Sequence, residues 1–457
     1  MKHTNKLGTE PVPSLLLKMS APAMIGLMVI IIFNIVDAVF VSRFVGTLGI
    51  AGLAVVMPIG SLIPIIGMSV GIGAGSMISR HLGAGNKEEA DKTLGNAISL
   101  TVLLCGTAIL LGYLFPDEIL AVFGAKEEIV PYAKTYFLIV LAGMPFLGIM
   151  MALNNIVRAE GDAKTPMMVL SASAVFNIFL DWLLVVKLNW GIAGSAYATV
   201  TSQVIFSSLL FIHVLRGKGV LKFRRKFMRL RTYIVKEIAS IGISSLARQS
   251  ASSVVAMFLN HNLFKYGGKE AVAIYGILNN VLMFLFIPMI GIVQGFLPIA
   301  GFNFGAKNFD RLKKSILIAL GFGVIAAVIS ELGGMAFSKA IIRIFTEDKA
   351  IVAMGSEGLT IILTLLPLAI IQMIGAAYFQ AIGKAMPALL LTLSRQILFL
   401  IPMFLVLPKL TGQGLTAIWY SFPAADFLST CFTLCFFIPE WRKLKANANV
   451  KLSVVTE

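Results

Sequence analysis

Charge is what this sequence has least of. Only 13% of its 457 residues are Asp, Glu, Lys or Arg, where a soluble protein carries about 25%. A solvated surface for three soluble domains, which the length alone would allow, is therefore excluded. Cysteine is almost absent: Cys105, Cys431 and Cys435 all lie in apolar stretches, which excludes a disulfide framework or a zinc module and suits small buried hydrophobes. The four histidines (His3, His81, His213, His261) are scattered and form no HExxH. No Asp-rich metal motif is seen, so a membrane-embedded prenyl or acyl transferase has nothing to work with, and no enzyme activity or organic cofactor is expected. No soluble nucleotide-binding domain is present, which excludes an ATP-driven pump within this chain. No cleavable signal peptide is expected, because the first apolar run is too long and lacks a small-residue cleavage site.

What is present is hydrocarbon: 58% of residues are hydrophobic and the mean hydropathy is +0.90. A bilayer core of about 30 Å needs roughly 20 apolar residues per helix. Twelve stretches qualify, at 19–42, 50–78, 95–116, 131–157, 166–187, 191–214, 238–264, 272–302, 315–338, 351–381, 387–408 and 412–439. The net charge of +16 does not point to nucleic acid, because the basic residues sit in short connections between apolar runs. Counting Lys and Arg gives 26 in both termini and the even-numbered loops against 10 in the odd-numbered loops. The positive-inside rule then places both termini in the cytoplasm of a bacterial inner membrane. Nine of the 26 fall between Arg216 and Lys236, the longest connection, which reads as a topology signal and a linker.

The second half repeats the first at an offset near 222 residues. Gly83, Ala84 and Asn86 map onto Gly305, Ala306 and Asn308, Phe123 onto Phe345, Pro145 onto Pro367, and Gly161 onto Gly383. At 221, Gly191 and Ala196 map onto Gly412 and Ala417. The expected fold is an all-α integral membrane protein of twelve transmembrane helices in two pseudo-symmetric six-helix bundles, as parallel repeats. The expected divisions are a bundle at 1–215, a basic linker at 216–237, a second bundle at 238–440 and a tail at 441–457. Two bundles rocking around a cleft suit a secondary transporter.

An ionisable residue at a helix centre costs roughly 2.5–3.5 kcal/mol on insertion scales, so each one needs a reason. Asp37, Asp181 and Thr199 all fall in the same leaflet half of the first bundle by residue count. Asn34 and Asp37 are i, i+3, and Asn177 and Asp181 are i, i+4, so each pair shares a helix face. Two carboxylates with amide and hydroxyl oxygens suit Na⁺ or a carried proton equally. The bland alternative is that each is a helix-packing hydrogen-bonder. At the repeat offsets Asp37 faces Leu259 and Asp181 faces Pro402, so neither has a twin. In the second half Arg248, Arg395 and Asp426 lie at comparable depth and read as a structural charge network, with substrate binding as the alternative; Glu331 stays ambiguous. Gln249, Tyr275, Asn279, Asn280, Gln294, Gln372 and Tyr378 are candidates for a cleft wall. The abundant methionine and phenylalanine (21 and 32) mostly face lipid or pack helices, but they also suit adaptable recognition of apolar cations. GIGAGS at 71–76 lies inside a span with no Lys, so it reads as small-residue helix packing, not a phosphate loop.

VDAVFVSRFVG at 36–46, GNKEEADK ending at Lys92, NNIVRAEGDAKTPM at 154–167 and FNIFLDWLLV at 176–185 resemble the multidrug and toxic compound extrusion (MATE) family over nearly the whole chain. The carboxylates of spans one and five resemble its DinF/MepA-like branch. Span seven has no acidic residue and span ten only Glu357, which departs from the second-half cation site of the NorM-like branch. The resemblance implies export of cationic amphipathic compounds in exchange for Na⁺ or H⁺, by a monomer among membrane lipids, with Asp37, Asn177, Asp181 and Thr199 as the first-half cation site. A lipid-linked oligosaccharide flippase is the rival: Arg248 and Arg395 favour it, while twelve spans and an acidic first half oppose it.

Overall fold

The computed structural model describes residues 2–45, 47–125, 127–217 and 219–455. Gly46 of the first family-like stretch, Lys126 and Lys218 of the charge count and the last two residues of the expected tail lie outside them. Among the described residues every regular element is a helix and there is no strand, as hydrocarbon demands when every backbone N–H and C=O must be paired within the chain. Ten helices are long and apolar enough to cross a membrane, and a bent pair supplies an eleventh. One of the ten, Thr232–Gly305, runs for 74 residues. At 1.5 Å per residue it would measure about 110 Å, more than three bilayer cores. Gly268, at φ 67° and ψ −161°, leaves the helical region and divides it into two, giving twelve.

The spans are α1 (Val12–Phe44), α2 (Thr47–Gly83), α3 (Lys87–Leu114), α4 (Val130–Ala159), α5 (Lys164–Asp181) and α6 (Gly191–Leu215) in the first half. The second half holds α7 (232–267), α8 (269–305), α9 (Phe309–Ala336), α10, α11 (Ala385–Thr411) and α12 (Leu415–Val455). α10 is the bent pair, Lys349–Leu363 and Leu366–Ala381, turned by 49°. Pro367 sits in the first turn after the break, where its ring cannot donate to Leu363 and clashes with that turn. Span one begins at Val12, not near residue 19, so Asp37 stands further along its helix than the sequence reading supposes.

Local structure repeats with the sequence. Short helices Pro116–Val122 and Ser338–Arg343 stand 222 residues apart. Gly161 and Gly383 both adopt positive φ, 95° and 82°. Gly85 at 79° is matched by Lys307 at 54°, so the turn before α9 keeps the left-handed geometry after losing its glycine. Two π-helical turns, Trp182–Lys187 after α5 and Ser394–Leu400 within α11, fall in corresponding spans of the two halves.

By contacts the chain forms two compact units. The first contains residues 1–9 and 25–242, and the second contains 10–24 and 243–457. Residues 10–24 are thus grouped with the second half: Ser20 and Met24 pack on Gly295 and Gly291 of α8. Residues 219–242 are grouped with the first half, where Gly242 packs on Ser69 of α2.

The core of the first unit includes the extensive seam between α2 and α4. A Cβ on Gly67 would fall 2.2 Å from the Gly148 carbonyl oxygen, and one on Gly71 would fall 2.7 Å from that of Ala152. A Cβ on Gly73 would fall 2.2 Å from the Ile238 carbonyl oxygen of α7. GIGAGS is therefore a close-packing stripe, as its lack of Lys implied. Cys105 is buried against Gly148, whereas Cys431 and Cys435 are exposed on α12 and do not fill the core.

The basic connection is not a loose tether. Glu160 accepts the N–H groups of Val220 (2.7 Å) and Leu221 (3.0 Å), and Asp91 that of Lys222 (2.8 Å). Asn96 accepts from the Arg231 N–H and donates to the Phe227 carbonyl, and Ser99 donates to the Met228 carbonyl. A Cβ on Gly219 would come within 2.4 Å of Glu160 Oε1, so this carboxylate reaches the loop only because residue 219 is bare. Burial pushes the Glu160 carboxyl up to about 7, against the pull of its two N–H donors, with Asp162 and Asp91 adding to the rise.

Two outcomes are expected. Gly73→Ala should lower the melting temperature of the purified protein by several degrees, from overpacking of about 1–3 kcal/mol, while Gly106→Ala, which meets nothing within 4 Å, should not. Because the folded Glu160 carboxyl titrates above its ordinary value of 4.5, its contribution is fully present below that pH and is lost as pH rises to about 7. Wild type should lose about 3 kcal/mol across that window relative to Glu160→Gln, read as converging melting curves at low pH.

Candidate functional site

Asp37 on α1 and Asp181 at the end of α5 are both buried, at 6% and 0% exposure. Their carboxyl groups lie close enough to hydrogen-bond each other. Ser195 of α6 donates to Asp37 Oδ1 at 2.8 Å. Asn177, one turn before Asp181, joins α5 to α6. With its amide turned to satisfy both neighbours, Nδ2 donates to Asp181 Oδ2 at 3.0 Å and the side-chain oxygen accepts the Thr199 N–H at 3.1 Å. In the opposite orientation its contact is a 3.4 Å approach to Thr199 Oγ1. The Tyr136 hydroxyl of α4 lies beside Thr199 and Ser195. Among the described residues, buried Asp181 Oδ1 has no hydrogen-bond partner. Four helices thus converge on two carboxyls in contact, with an open oxygen coordination position.

The sequence candidates Asp37, Asn177, Asp181 and Thr199 are brought together as their spacing implied. Asn34 is exposed on the wall of the adjoining cavity. Ser195 and Tyr136 escaped sequence reasoning. Serine and tyrosine are inexpensive enough in spans to raise no alarm, and the one available signal was that Ser195 lies inside the repeated GIAGSA motif. The cavity that Asp37, Asn177 and Thr199 line has a volume of about 550 Å³. Its walls include Phe33, Met57, Met144, Met150 and Met151. Among the described residues Asp37 is the one charged side chain on its lining, so the cavity is apolar and adaptable with a single acidic end. The π-helical turn begins at the residue after Asp181. Such turns are frequent at functional sites because they interrupt the regular hydrogen-bond ladder.

The second unit has its own cavity, of about 650 Å³. Arg395 pairs with Asp426 through Nε, with Nη2 at 3.4 Å from Oδ2. Arg248 is exposed and stands apart from this pair, so the expected three-member network is a two-member one among the described residues. Equal depth along a helix does not fix the direction in which a side chain leaves it. Tyr275 and Asn279 line this cavity; the other cleft-wall candidates do not. Gln372 is buried and bonds to the Leu391 carbonyl, tying α10 to α11. Tyr378 is fully buried against Phe379 and Phe437. Asn280 donates to its own helix at Gly276, Gln249 is exposed and Gln294 half-buried. Ser252, Asn260, Gln396 and Phe286 also line it and carried no sequence signal.

Two six-span halves, each enclosing a cavity with buried charge, define a multi-span membrane transporter. The sequence pattern of the MatE family matches residues 22–183 and 241–405, and the chain belongs to that family, whose members are transporters, not enzymes. It is similar to an FAD transporter of Shewanella oneidensis, 27% identical over 88% of this chain and 90% of that one. It is also similar to the multidrug export protein MepA of Staphylococcus aureus, 26% identical over 92% of each chain. The outward-facing structure of a multidrug resistance MATE family transporter matches with a TM-score of 0.90 and 25% identity, covering 98% of this chain and 99% of that one.

The contact between Asp37 and Asp181 makes them energetically inseparable. Melting of Asp37→Asn, Asp181→Asn and the double variant should give a coupling energy of about 1–3 kcal/mol, outside the range of independent sites.

Proposed function

We propose that this protein is a cation-coupled multidrug antiporter that exports cationic amphipathic compounds by alternating access, in exchange for inward Na⁺ or H⁺. The observation that carries the reading is the contact of two untwinned carboxyls, Asp37 and Asp181, behind an apolar, methionine-lined cavity with one acidic end. A cationic ring system fits such a cavity through apolar burial and attraction to Asp37. The similarity to MepA supports the same class of cargo.

In this mechanism Asp37 and Asp181 hold the coupling ion, and Asn177, Thr199, Ser195 and Tyr136 orient them. An arriving Na⁺ would meet carboxylate, amide and hydroxyl oxygens, a hard-donor set; an arriving proton would be shared by the two carboxyls. Either one cancels the negative charge that attracts a cationic substrate, so ion and substrate compete. The substrate leaves outward and the ion inward. With both termini in the cytoplasm of a bacterial inner membrane, the potential pulls the ion in. Export of one monovalent cation against entry of one ion moves no net charge, so the ion's concentration gradient drives that exchange, at about 1.4 kcal/mol per tenfold ratio. A second ion per turnover would add about 2.3 kcal/mol at 100 mV.

Proteoliposomes loaded with ethidium test the proposal under separately imposed Na⁺ and proton gradients. One gradient should drive efflux by wild type, and Asp37→Asn should lower that efflux at least tenfold, about 1.4 kcal/mol or more. Full gradient-driven efflux by Asp37→Asn would sink the coupling role.

A further inference from the structure

The cavity of the second unit is not a second copy of the first. Its charged lining is Arg395 and Asp426, and the two are unequally placed: the Arg395 side chain is 23% exposed and that of Asp426 only 2%. The acid stands behind and the guanidinium faces the open volume. Arginine offers five N–H donors in a planar fork. Two are directed at Asp426 through Nε and Nη2, which leaves three N–H groups without a protein acceptor among the described residues. The guanidinium lies over the Phe286 ring at 5.8 Å, and Tyr275 stacks on Phe422 at 6.3 Å between ring centres. Asn279 is one turn from Tyr275 on the same face of α8, and Gln396, held by a 2.8 Å bond to Ser252, lies beside Arg395. These groups line one volume of about 650 Å³, within the range that holds a drug-sized molecule.

A bolt between α11 and α12 would need only the ion pair. It would not need a cavity in front of the cation, unused fork donors or flanking aromatic faces. We propose that this cavity binds an aromatic anion, a planar ring system bearing a carboxylate or phosphate, with the acid group on the free edge of Arg395 and the ring between Phe286 and the Tyr275–Phe422 pair. Asp426 holds the fork at the angle that presents that edge. Planar two-point recognition of this kind favours arginine over lysine. This deepens the proposed function, and rests on it, by giving the second half a substrate class opposite in charge to that of the first.

The test is equilibrium binding to the full chain in lipid nanodiscs, with carboxyfluorescein as the anionic aromatic probe and ethidium as the cationic one, each read by anisotropy. Wild type should bind carboxyfluorescein saturably. Arg395→Gln combined with Asp426→Asn, which leaves no charge stranded, should weaken that binding about tenfold or more, and Arg395→Lys should weaken it also, while ethidium affinity stays within about twofold. Tyr275→Leu and Asn279→Leu keep the ion pair and should each weaken carboxyfluorescein about threefold to tenfold; they decide the matter if the charge variants do not fold. Absence of saturable carboxyfluorescein binding by wild type, or unchanged affinity in the folded variants, would overturn the inference. So would selective loss of ethidium in the Arg395/Asp426 variant, which would make Asp426 a cation site. Failure of ethidium to bind wild type at all would remove the antiporter reading of the first cavity and leave the carboxyfluorescein result standing.

Discussion

Two carboxyl groups in contact, deep within a protein surrounded by hydrocarbon, cannot both stay charged and bare. Their burial leaves them little solvation, and the low local dielectric magnifies their repulsion. In the proposed mechanism such a pair takes up a positive species, and what surrounds it suits that role. α1, α4, α5 and α6 bring oxygens and an amide to the same point. The open Asp181 Oδ1 leaves a coordination position free. The apolar walls of the adjoining cavity keep the attraction concentrated on one end, where a cation can feel it and a neutral molecule gains only burial.

The duplicated scaffold gives that chemistry its asymmetry. Helix order, the short helices after α3 and α9, the left-handed turns and the π-helical segments recur in both halves. The charges do not. α5 places a carboxylate immediately before its π turn, while α11 places a guanidinium within its own. At the repeat offset Asp181 faces Pro402 and not Arg395, so the halves carry charges of opposite sign at different places on a shared frame. This fits a family whose relatives carry names as different as an FAD transporter and a multidrug export protein.

What the sequence discloses follows what hydrocarbon penalises. Spans, the repeat and the costly residues Asp37, Asp181, Arg395 and Asp426 stand out because each violates an otherwise apolar background. Asn177 and Thr199 could be added from helical periodicity. Ser195 and Tyr136 could not, because their side chains are cheap to bury and common in any span. Arg248 shows the limit from the other side: counting residues gives depth, but not azimuth, and the structure leaves it outside the pair at Arg395. Helix ends were also partly hidden. No composition signal marks where α1 begins, and the break in α10 depends on Pro367 losing its place in a helix that tolerates Pro145 in α4.

The connection between the halves is gripped mainly by its backbone. Glu160, Asp91, Asn96 and Ser99 read N–H and C=O groups, which every residue type except proline supplies in full. Apart from Gly219, the buried Val220, Leu221 and Phe227, and the Lys and Arg residues that read as a topology signal, these bonds place little demand on the identities of its side chains. A segment held in this way keeps its conformation when its side chains change, and the family pattern, which stops at residue 183 and resumes at 241, leaves out this stretch together with α6.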